Sequence, residues 1–411
     1  MLSNYNVYLK NENSIKIYNT LWKKEVNIPY SVFQNIEKSK GLSNRFKQLG
    51  FMISSENEEI RIAKSMYNSI IYQSSRLELT IMMTMNCNFK CTYCFEGHEN
   101  RENIFIDIHD LISWLQKIIQ KYCFSELAIC FHGGEPLLFA EEIKSIMIKV
   151  TQLFPMLQFD FSCVTNGYFL SKQLANEFKQ LGMKRVQITF NGAKEEHDKI
   201  RVLRSGQGTF NKIMENLKES ECDFYILNLL YNDKNIDSIK SLILYLKEND
   251  LNSKIKFLTI NQIEETVIGD SELYNKKSAS IKIELMKFAL GQGFRVPYDL
   301  NFKACTIQQK NSFVISPIGN IYKCISLIGE EKTFIGNLKD SPDDLYKNQA
   351  KFSLEDNKCI ICKYYPLCNT MCFFQEKLKN NFCKKSYFEE LIPNYLELYN
   401  HYKGLFYEEK K

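Results

Sequence analysis

The chain has 411 residues, of which 45% are hydrophobic and 25% charged, and its formal net charge is +5 at pH 7. This composition is typical of a soluble globular protein with room for two or three domains. The lysines and arginines are scattered, so we expect no nucleic-acid partner, and no uncharged apolar run approaches the roughly 18 residues of a membrane span. The N-terminal sequence lacks a signal-peptide layout, and we expect a cytoplasmic protein.

Cysteine is the unusual component, with fourteen residues. In a chain of this size without a secretion signal, thiols at short spacings indicate metal ligation rather than disulfides. Ten of the cysteines fall into such groups. The other four lie singly in apolar stretches and are expected to be small buried hydrophobic side chains: Cys123, Cys130, Cys163 and Cys222.

The first segment of the chain reads as a compact α+β module. Its pattern predicts strands at residues 7–9, 15–18, 26–28 and 51–53, and helices at 31–37 and 42–49. Gly50 follows the second helix as its expected C-cap.

From residue 77 the chain alternates regularly between strands and amphipathic helices. Strands are predicted at residues 77–85, 127–131, 159–164, 185–190, 224–230 and 255–260. Six β–α units imply a parallel sheet, closed into all or part of a barrel, with the functional face at the strand C-termini. A flat doubly wound sheet is the alternative. After residue 293 the alternation stops, and a cysteine-rich tail and a charged helix at 387–402 follow.

The first cysteine group, Cys87, Cys91 and Cys94, lies in the loop after the first of these strands. Three thiolates at this spacing can hold three irons of a [4Fe–4S] cube and leave the fourth iron open. A ferredoxin normally ligates every iron. A structural zinc site is the other reading, but zinc prefers four ligands, and only His98 lies near.

This loop, with the aromatic Tyr93 beside its last cysteine, resembles the radical S-adenosylmethionine (radical SAM) superfamily. The resemblance implies an α/β fold with a partial (β/α)6 barrel. It also implies that the open iron binds S-adenosylmethionine, whose cleavage yields a 5′-deoxyadenosyl radical.

The resemblance extends to the ends of the following strands. Gly133, Gly134 and Glu135 resemble the family's glycine-rich turn, whose backbone binds the methionyl amino group. The residues it implies at the cofactor are Tyr93, Phe95, Gly133, Gly134, Glu135, Thr165, Asn166, Thr189 and Arg204. For Arg201 and Arg204, the interpretation as solvated surface charges fits the sequence equally well. Asn191 stands where relatives often carry Asp, so no catalytic residue is assigned beyond the cluster ligands.

The second cysteine group resembles a SPASM domain, which holds two auxiliary iron–sulfur clusters. The resemblance implies Cys359, Cys362, Cys368 and Cys383 as ligands of the distal cluster, and Cys305, Cys324 and Cys372 as ligands of the nearer one. A zinc ribbon would account for only four of the seven cysteines. Residues 306–323 contain no Cys, His, Asp or Glu. The nearer cluster is therefore expected to keep an open iron, available to a substrate thiolate.

Together these features predict three parts. They are a PqqD-like precursor-recognition module (1–72), a radical SAM barrel (73–293) and a SPASM domain (294–411). The resemblance implies a maturase of ribosomally made peptides, of the sactipeptide and ranthipeptide type, that forms a thioether. Its expected partners are a leader-bearing precursor and a reductant such as ferredoxin or flavodoxin.

Other activities remain open. They are carbon–carbon or carbon–oxygen cross-linking, epimerisation and anaerobic sulfatase maturation; an iron–sulfur electron carrier is the non-enzymatic reading. Sulfatase maturases commonly place an Asp base after the second SPASM cysteine, whereas Ile325 follows Cys324 here.

Overall fold

The computed structural model describes residues 1–94, 104–263, 275–301, 304–352, 358–368 and 383–408. Its centre is a nine-stranded sheet wrapped on one side by helices, and a small N-terminal module packs against the C-terminal part. In the part of the chain so described, no helix is both long and apolar enough to cross a membrane.

The N-terminal module is a three-stranded antiparallel sheet followed by three helices. Its elements are β1 (Asn6–Lys10), β2 (Ser14–Asn19), β3 (Lys24–Pro29), α1 (Tyr30–Gln34), α2 (Lys40–Leu49) and α3 (Glu56–Ile71). Helix α2 ends at Gly50 in the left-handed conformation, φ 87°, as the sequence predicts, because glycine adopts it without a Cβ clash. The predicted strand at 51–53 does not form: Met52 makes only an isolated bridge to Leu2.

The sheet that follows contains the six predicted β–α units. The elements are β4 (Arg76–Met82), α4 (Ile108–Tyr122), β5 (Glu126–His132), α5 (Ala140–Leu153), β6 (Gln158–Thr165), α6 (Lys172–Gln180), β7 (Met183–Phe190), α7 (Lys194–Ile200), α8 (Phe210–Glu219), β8 (Tyr225–Tyr231), α9 (Ile236–Glu248), β9 (Ile255–Gln262) and α10 (Lys276–Gly291). Strands β4 to β9 are parallel neighbours in chain order. The α/β expectation is confirmed, and all six strand C-termini meet at one edge.

The C-terminal part extends this sheet instead of folding apart from it. Its elements are β10 (Val296–Pro297), β11 (Ser312–Ile315), β12 (Asn320–Tyr322), β13 (Phe334–Asn337), α11 (Pro342–Asn348), α12 (Lys385–His401) and β14 (Phe406–Tyr407). Strand β11 pairs parallel with β4, and β12 and β13 continue antiparallel. The sheet order is therefore β13-β12-β11-β4-β5-β6-β7-β8-β9.

The N-terminal module contacts the segment 358–368, which carries three of the SPASM-like cysteines. Tyr5 Oη donates to the carbonyl of Ile360 and Thr20 Oγ1 to that of Lys363, both at 2.5 Å. The rings of Tyr67 and Tyr365 pack 5.6 Å apart in the same small core. The module and the cysteine-bearing segment therefore share one small apolar core.

The four isolated cysteines divide between core and surface. Cys163 and Cys222 are buried, and Cys130 is half-buried. Cys123 is exposed, contrary to the sequence expectation, because it ends α4 as a left-handed C-cap with φ 51°. A helix terminus at the surface explains its exposure.

Candidate active site

The three cysteines after β4 face one cavity at the C-terminal edge of the sheet. Cys87, Cys91 and Cys94 all line this space of about 400 Å³. Cys91 is 9% exposed and the other two are half-buried. Burial raises the pKa of Cys87 to about 12, with a further increase from nearby Glu135. A bound metal would supply the charge that ionises these thiols.

The glycine-rich turn after β5 lies directly against the cysteine loop. Gly134 N–H donates to the Thr84 carbonyl at 2.9 Å, and Glu135 N–H to the Asn86 carbonyl at 2.8 Å. A Cβ on Gly133, whose φ is 134°, would lie 2.3 Å from the Thr84 carbonyl oxygen. The two glycines therefore allow two backbones to approach, and both also line the cavity.

Glu135 belongs to the frame of the site rather than to its surface. It is fully buried and does not line the cavity. Its carboxylate accepts hydrogen bonds from Thr165 Oγ1 (2.6 Å), Asn166 N–H (2.8 Å) and Leu137 N–H (3.0 Å). Burial raises its pKa, and these donors lower it. Glu135 ties the end of β5 to the end of β6, and its assignment as a cofactor contact stays a prediction.

Two polar residues that the sequence places at strand ends do line the cavity beside Thr165. Asn166 Nδ2 donates to Asn88 Oδ1 at 2.8 Å and lies 3.9 Å from Cys87 Sγ. Thr189, at the end of β7, is 9% exposed. Both face the cysteine loop across the cavity.

Of the two arginines, Arg201 lines the cavity and Arg204, which the resemblance implies at the cofactor, does not. Arg204 is exposed, does not line the cavity, and donates from Nε to the Cys87 carbonyl at 2.7 Å. Arg201 is 8% exposed and lines the cavity. Neither residue is a freely solvated charge. Arg204 fastens the cysteine loop from outside, and Arg201 is the guanidinium that faces inward.

Arg201 is held by a hydrogen-bonded network with Tyr93. Its Nη1 donates to Tyr93 Oη at 2.8 Å, and Tyr93 Oη donates to Asn191 Oδ1 at 2.8 Å. The guanidinium also lies 5.6 Å from the Phe89 ring centroid. Asn191 therefore belongs to the hydrogen-bonded network that holds Tyr93 and Arg201.

The segment after α7 clamps the cysteine loop through its backbone. Lys90 N–H donates to the Val202 carbonyl at 2.8 Å, and Arg204 N–H to the Asn88 carbonyl at 2.9 Å. Asp198 Oδ1 accepts from the backbone N–H groups of Thr209 and Phe210 and shapes this segment. Backbone hydrogen bonds to the segment after α7 therefore hold the residues that lie between the cysteines.

The remaining polar residues that line the cavity were not predicted from the sequence. They are His132, Gln187, Asn228, Asn261 and Gln262. Burial lowers the pKa of His132 to about 4, and its Nδ1 accepts from Gly133 N–H. The available signal was a polar residue near the C-terminal end of an otherwise apolar strand.

Four of the SPASM-like cysteines lie close enough to interact electrostatically with one another. Burial raises the pKa of Cys368 to about 11; Lys384 lowers it, and the thiols of Cys359, Cys362 and Cys383 raise it. Tight turns join Cys359, Cys362 and Cys368, with Cys362 N–H donating to the Cys359 carbonyl at 2.8 Å and Cys368 N–H to the Tyr364 carbonyl at 3.0 Å.

Cys305 and Cys324 form the second set, and both are half-buried. Burial lowers the pKa of the neighbouring Lys323 to about 7, whereas the thiol of Cys305 raises it, so these two side chains interact. Cys372, like Phe95 and His98, lies outside the described residues.

Comparison with known proteins agrees with this geometry. The Radical SAM superfamily model matches residues 81–249. A cysteine-type anaerobic sulfatase-maturating enzyme of Clostridium novyi (strain NT) is 30% identical over 356 residues, which cover 75% of this chain and 92% of the relative. This chain belongs to the radical SAM superfamily.

Solved radical SAM structures share the fold. The structure of native anSMEcpe with bound AdoMet superposes with a TM-score of 0.63 at 20% identity, covering 79% of this chain and 99% of that one. Streptococcus suis SuiB bound to precursor peptide SuiA gives a TM-score of 0.56 at 14% identity, covering 94% and 99%.

The residues present fit the cofactors of a radical SAM enzyme. Three thiols on one loop face a single cavity, which is the donor set for a [4Fe–4S] cluster with one open iron. Three buried nitrogens around this loop, Asn88 Nδ2, Asn191 Nδ2 and Arg201 Nε, have no hydrogen-bond partner among the described residues. Buried polar groups are normally satisfied, so such donors are consistent with a polar ligand.

Proposed function

We propose that this radical SAM enzyme is a SPASM-type peptide maturase that cross-links a ribosomally made precursor, forming a thioether between a cysteine sulfur and a peptide carbon. One observation carries the proposal. A single chain joins a cysteine-lined cavity to a separate small sheet with an open strand edge, and to a second field of clustered thiols.

Within the site, Cys87, Cys91 and Cys94 would hold the first cluster. Bound S-adenosylmethionine supplies a 5′-deoxyadenosyl radical that abstracts hydrogen from the substrate. Gly133, Gly134, Thr165, Asn166 and Thr189 would line its binding site. Arg201 takes the place first given to Arg204, because it is the arginine that faces the cavity.

The open edge that would receive the leader peptide is β3. Among the described residues β3 pairs only with β2. Tyr30 N–H donates to the Asn13 carbonyl at 3.1 Å, so by antiparallel alternation Ile28 and Val26 face β2, whereas the backbone groups of Asn27 and Glu25 face away. The side chains of Asn27 and Glu25 are exposed as well. An added strand would bond to these two residues.

The thioether assignment rests on the nearer auxiliary site. The described stretch between Cys305 and Cys324 contains no Cys, His, Asp or Glu that could be a further ligand. With Cys372 as third ligand, one iron would remain for a substrate thiolate. In forming the C–S bond, the hydrogen atom of the carbon would go to the 5′-deoxyadenosyl radical, and the thiol would lose its proton. The one electron released when the carbon radical bonds the sulfur would pass to the auxiliary cluster and on to the electron-transfer partner, which balances the one electron used to cleave S-adenosylmethionine.

The test is co-expression with a small cysteine-containing peptide encoded beside this chain, followed by mass spectrometry. The expected product is lighter by the mass of two hydrogen atoms and resists thiol alkylation at one cysteine. The same mass loss with every thiol still reactive would reject the thioether in favour of another cross-link. Cys87→Ala, which removes one cluster ligand, should abolish both the product and 5′-deoxyadenosine.

Leader recognition is tested at β3. Asn27→Pro removes the outward N–H at an edge position where proline is tolerated, whereas Asn27→Ala keeps it. We expect Asn27→Pro to weaken binding of a labelled leader peptide about tenfold or more, and Asn27→Ala to leave it within about twofold. Equal affinities in the two variants would place the leader elsewhere.

Sulfatase-type maturation is the second candidate, supported by the 30% identity to the Clostridium novyi enzyme. Ile325, which cannot act as a base, follows Cys324 here. A cysteine-containing sulfatase peptide should be assayed beside the candidate precursor. Turnover of the sulfatase peptide alone would favour this second function.

A further inference from the structure

A buried lysine lies in the chain between two half-buried cysteines, Cys305 and Cys324. Lys323 follows β12 and precedes Cys324, and its side chain is 1% exposed. Lysine is almost never fully buried unless its charge is compensated. The compensation found here is incomplete.

All three N–H donors of the Lys323 ammonium are occupied, but by neutral acceptors. Nζ donates to the carbonyls of Gln309 and Ser312, each at 2.6 Å, and to Gln349 Oε1 at 3.1 Å. The ammonium also lies 5.1 Å from the ring centroid of Phe313. Since a lysine has only three donors, this geometry holds the charge in place and leaves no donor for a ligand.

No carboxylate among the residues described here pairs with this ammonium. Glu78 influences it electrostatically, but Glu78 Oε1 lies 2.9 Å from Arg76 Nε and is already paired. A buried charge without an opposite charge is costly. The other group with which the ammonium interacts electrostatically is the thiol of Cys305, and Cys324 is the next residue in the chain.

We propose that Lys323 is the buried counter-charge of the auxiliary cluster held by Cys305 and Cys324, and that it raises the reduction potential of that cluster. An iron–sulfur cluster ligated by thiolates is a net anion, and reduction makes it more negative. A fixed positive charge inside a low-dielectric region stabilises the reduced form more than the oxidised form. The cluster thereby becomes a better acceptor for an electron leaving the substrate. This inference rests on the cluster assignment in the proposed function.

The same lysine also orders the chain around the cluster. By bonding the carbonyls of Gln309 and Ser312, it fixes the loop between Cys305 and β11 against the end of β12. Lys323 is therefore a positioning residue, and its electrostatic role must be separated from this mechanical one.

The experiment is a redox titration of the reconstituted full-length protein, followed by electron paramagnetic resonance. Lys323→Met removes the charge. Lys323→Gln also removes it but keeps two N–H donors for the carbonyls, and it serves if the Met variant does not fold. Lys323→Arg keeps the charge. Lys310→Met is the matched control, because Lys310 lies on the same loop but is exposed to solvent.

We expect Lys323→Met and Lys323→Gln to lower the equilibrium ratio of reduced to oxidised auxiliary cluster at least tenfold at fixed potential, a shift of about 59 mV for one electron. Lys323→Arg and Lys310→Met should stay close to the wild type. An unchanged potential in both neutral variants, or an equal fall in Lys323→Arg, would overturn the proposal.

Cys324→Ala separates this outcome from failure of the cluster assignment itself. The assignment predicts that Cys324→Ala loses iron and the signal of one auxiliary cluster. Full iron content and an unchanged spectrum in that variant would refute the assignment, whereas loss of the signal together with unchanged potentials in the lysine variants would refute the lysine role alone.

Discussion

Tyr93→Phe tests whether the cysteine loop is held by side chains or by its ligands alone. Tyr93 lies between Cys91 and Cys94, and its hydroxyl joins Arg201 to Asn191. The substitution removes one oxygen and keeps the ring. Arg201 Nη1 then loses a bond of 2.8 Å, and Asn191 Oδ1 loses a donor at the same distance.

The expected cost follows from these two bonds. Asn191 is fully buried and away from the cavity, so water does not replace the lost donor there, whereas Arg201 also lines the cavity. A hydrogen bond to a charged group contributes about 1.5–3 kcal/mol, and a neutral one about 1 kcal/mol. We therefore expect Tyr93→Phe to lower the free energy of unfolding by about 2–4 kcal/mol.

The assay is anaerobic urea denaturation of the cluster-loaded protein, with 5′-deoxyadenosine formation as a second readout. Tyr168→Phe is the matched control. Tyr168 packs edge-on against the same Phe89 ring, 6.0 Å between centroids, but its hydroxyl makes no hydrogen bond to the described residues. If both variants unfold within about 0.5 kcal/mol of each other, the hydroxyl network does not stabilise the loop.

Two further predictions concern the frame of the molecule. Burial raises the pKa of Asp160, but the hydrogen bonds and charges of Arg76 and Arg185 lower it by more, so the pKa lies below its ordinary value. The ionised carboxylate therefore stabilises the fold at a pH above the ordinary pKa, and this stabilisation is lost as pH falls below about 4. Asp160→Asn should cost about 1–3 kcal/mol at pH 7 and flatten that acid limb in pH-dependent denaturation; an unchanged limb would contradict it. Thr20→Val removes the bond to the Lys363 carbonyl and should speed proteolysis of the N-terminal module, whereas Thr151→Val, which loses only bonds within its own helix, should not.

The regular part of the fold followed from periodicity. Each of the six predicted parallel strands is present within a few residues of its expected bounds, because alternating apolar strands and one-sided helices can bury their apolar surface only in this layering. The N-terminal module was predicted less completely. Helix α3 was missed because its buried face comprises only Glu59, Ala63 and Tyr67, and the apolar surface it covers belongs to distant residues.

The candidate site, like the fold, was predicted from the sequence only in part. The roles of Arg201, Arg204 and Glu135 could not be read from their spacing. Whether an arginine faces a cavity or the solvent depends on the path of the segment after α7, and that path is set by its backbone bonds to residues 88–92. Glu135 likewise turns away from the cavity because three donors converge on its carboxylate, two from the end of β6 and one from Leu137 in its own turn.

The sequence alone determined the chemistry of the chain. Three thiols within one short loop must lie near one another whatever the surrounding fold, so their spacing already indicates an open-iron cluster. Only the tertiary structure decided which charged side chains lie near the cysteines. Residues far apart in the chain bury Lys323 and join the N-terminal module to the cysteine-bearing segment. Such contacts leave no local sequence pattern, because the burial of a residue depends on the distant residues that pack against it.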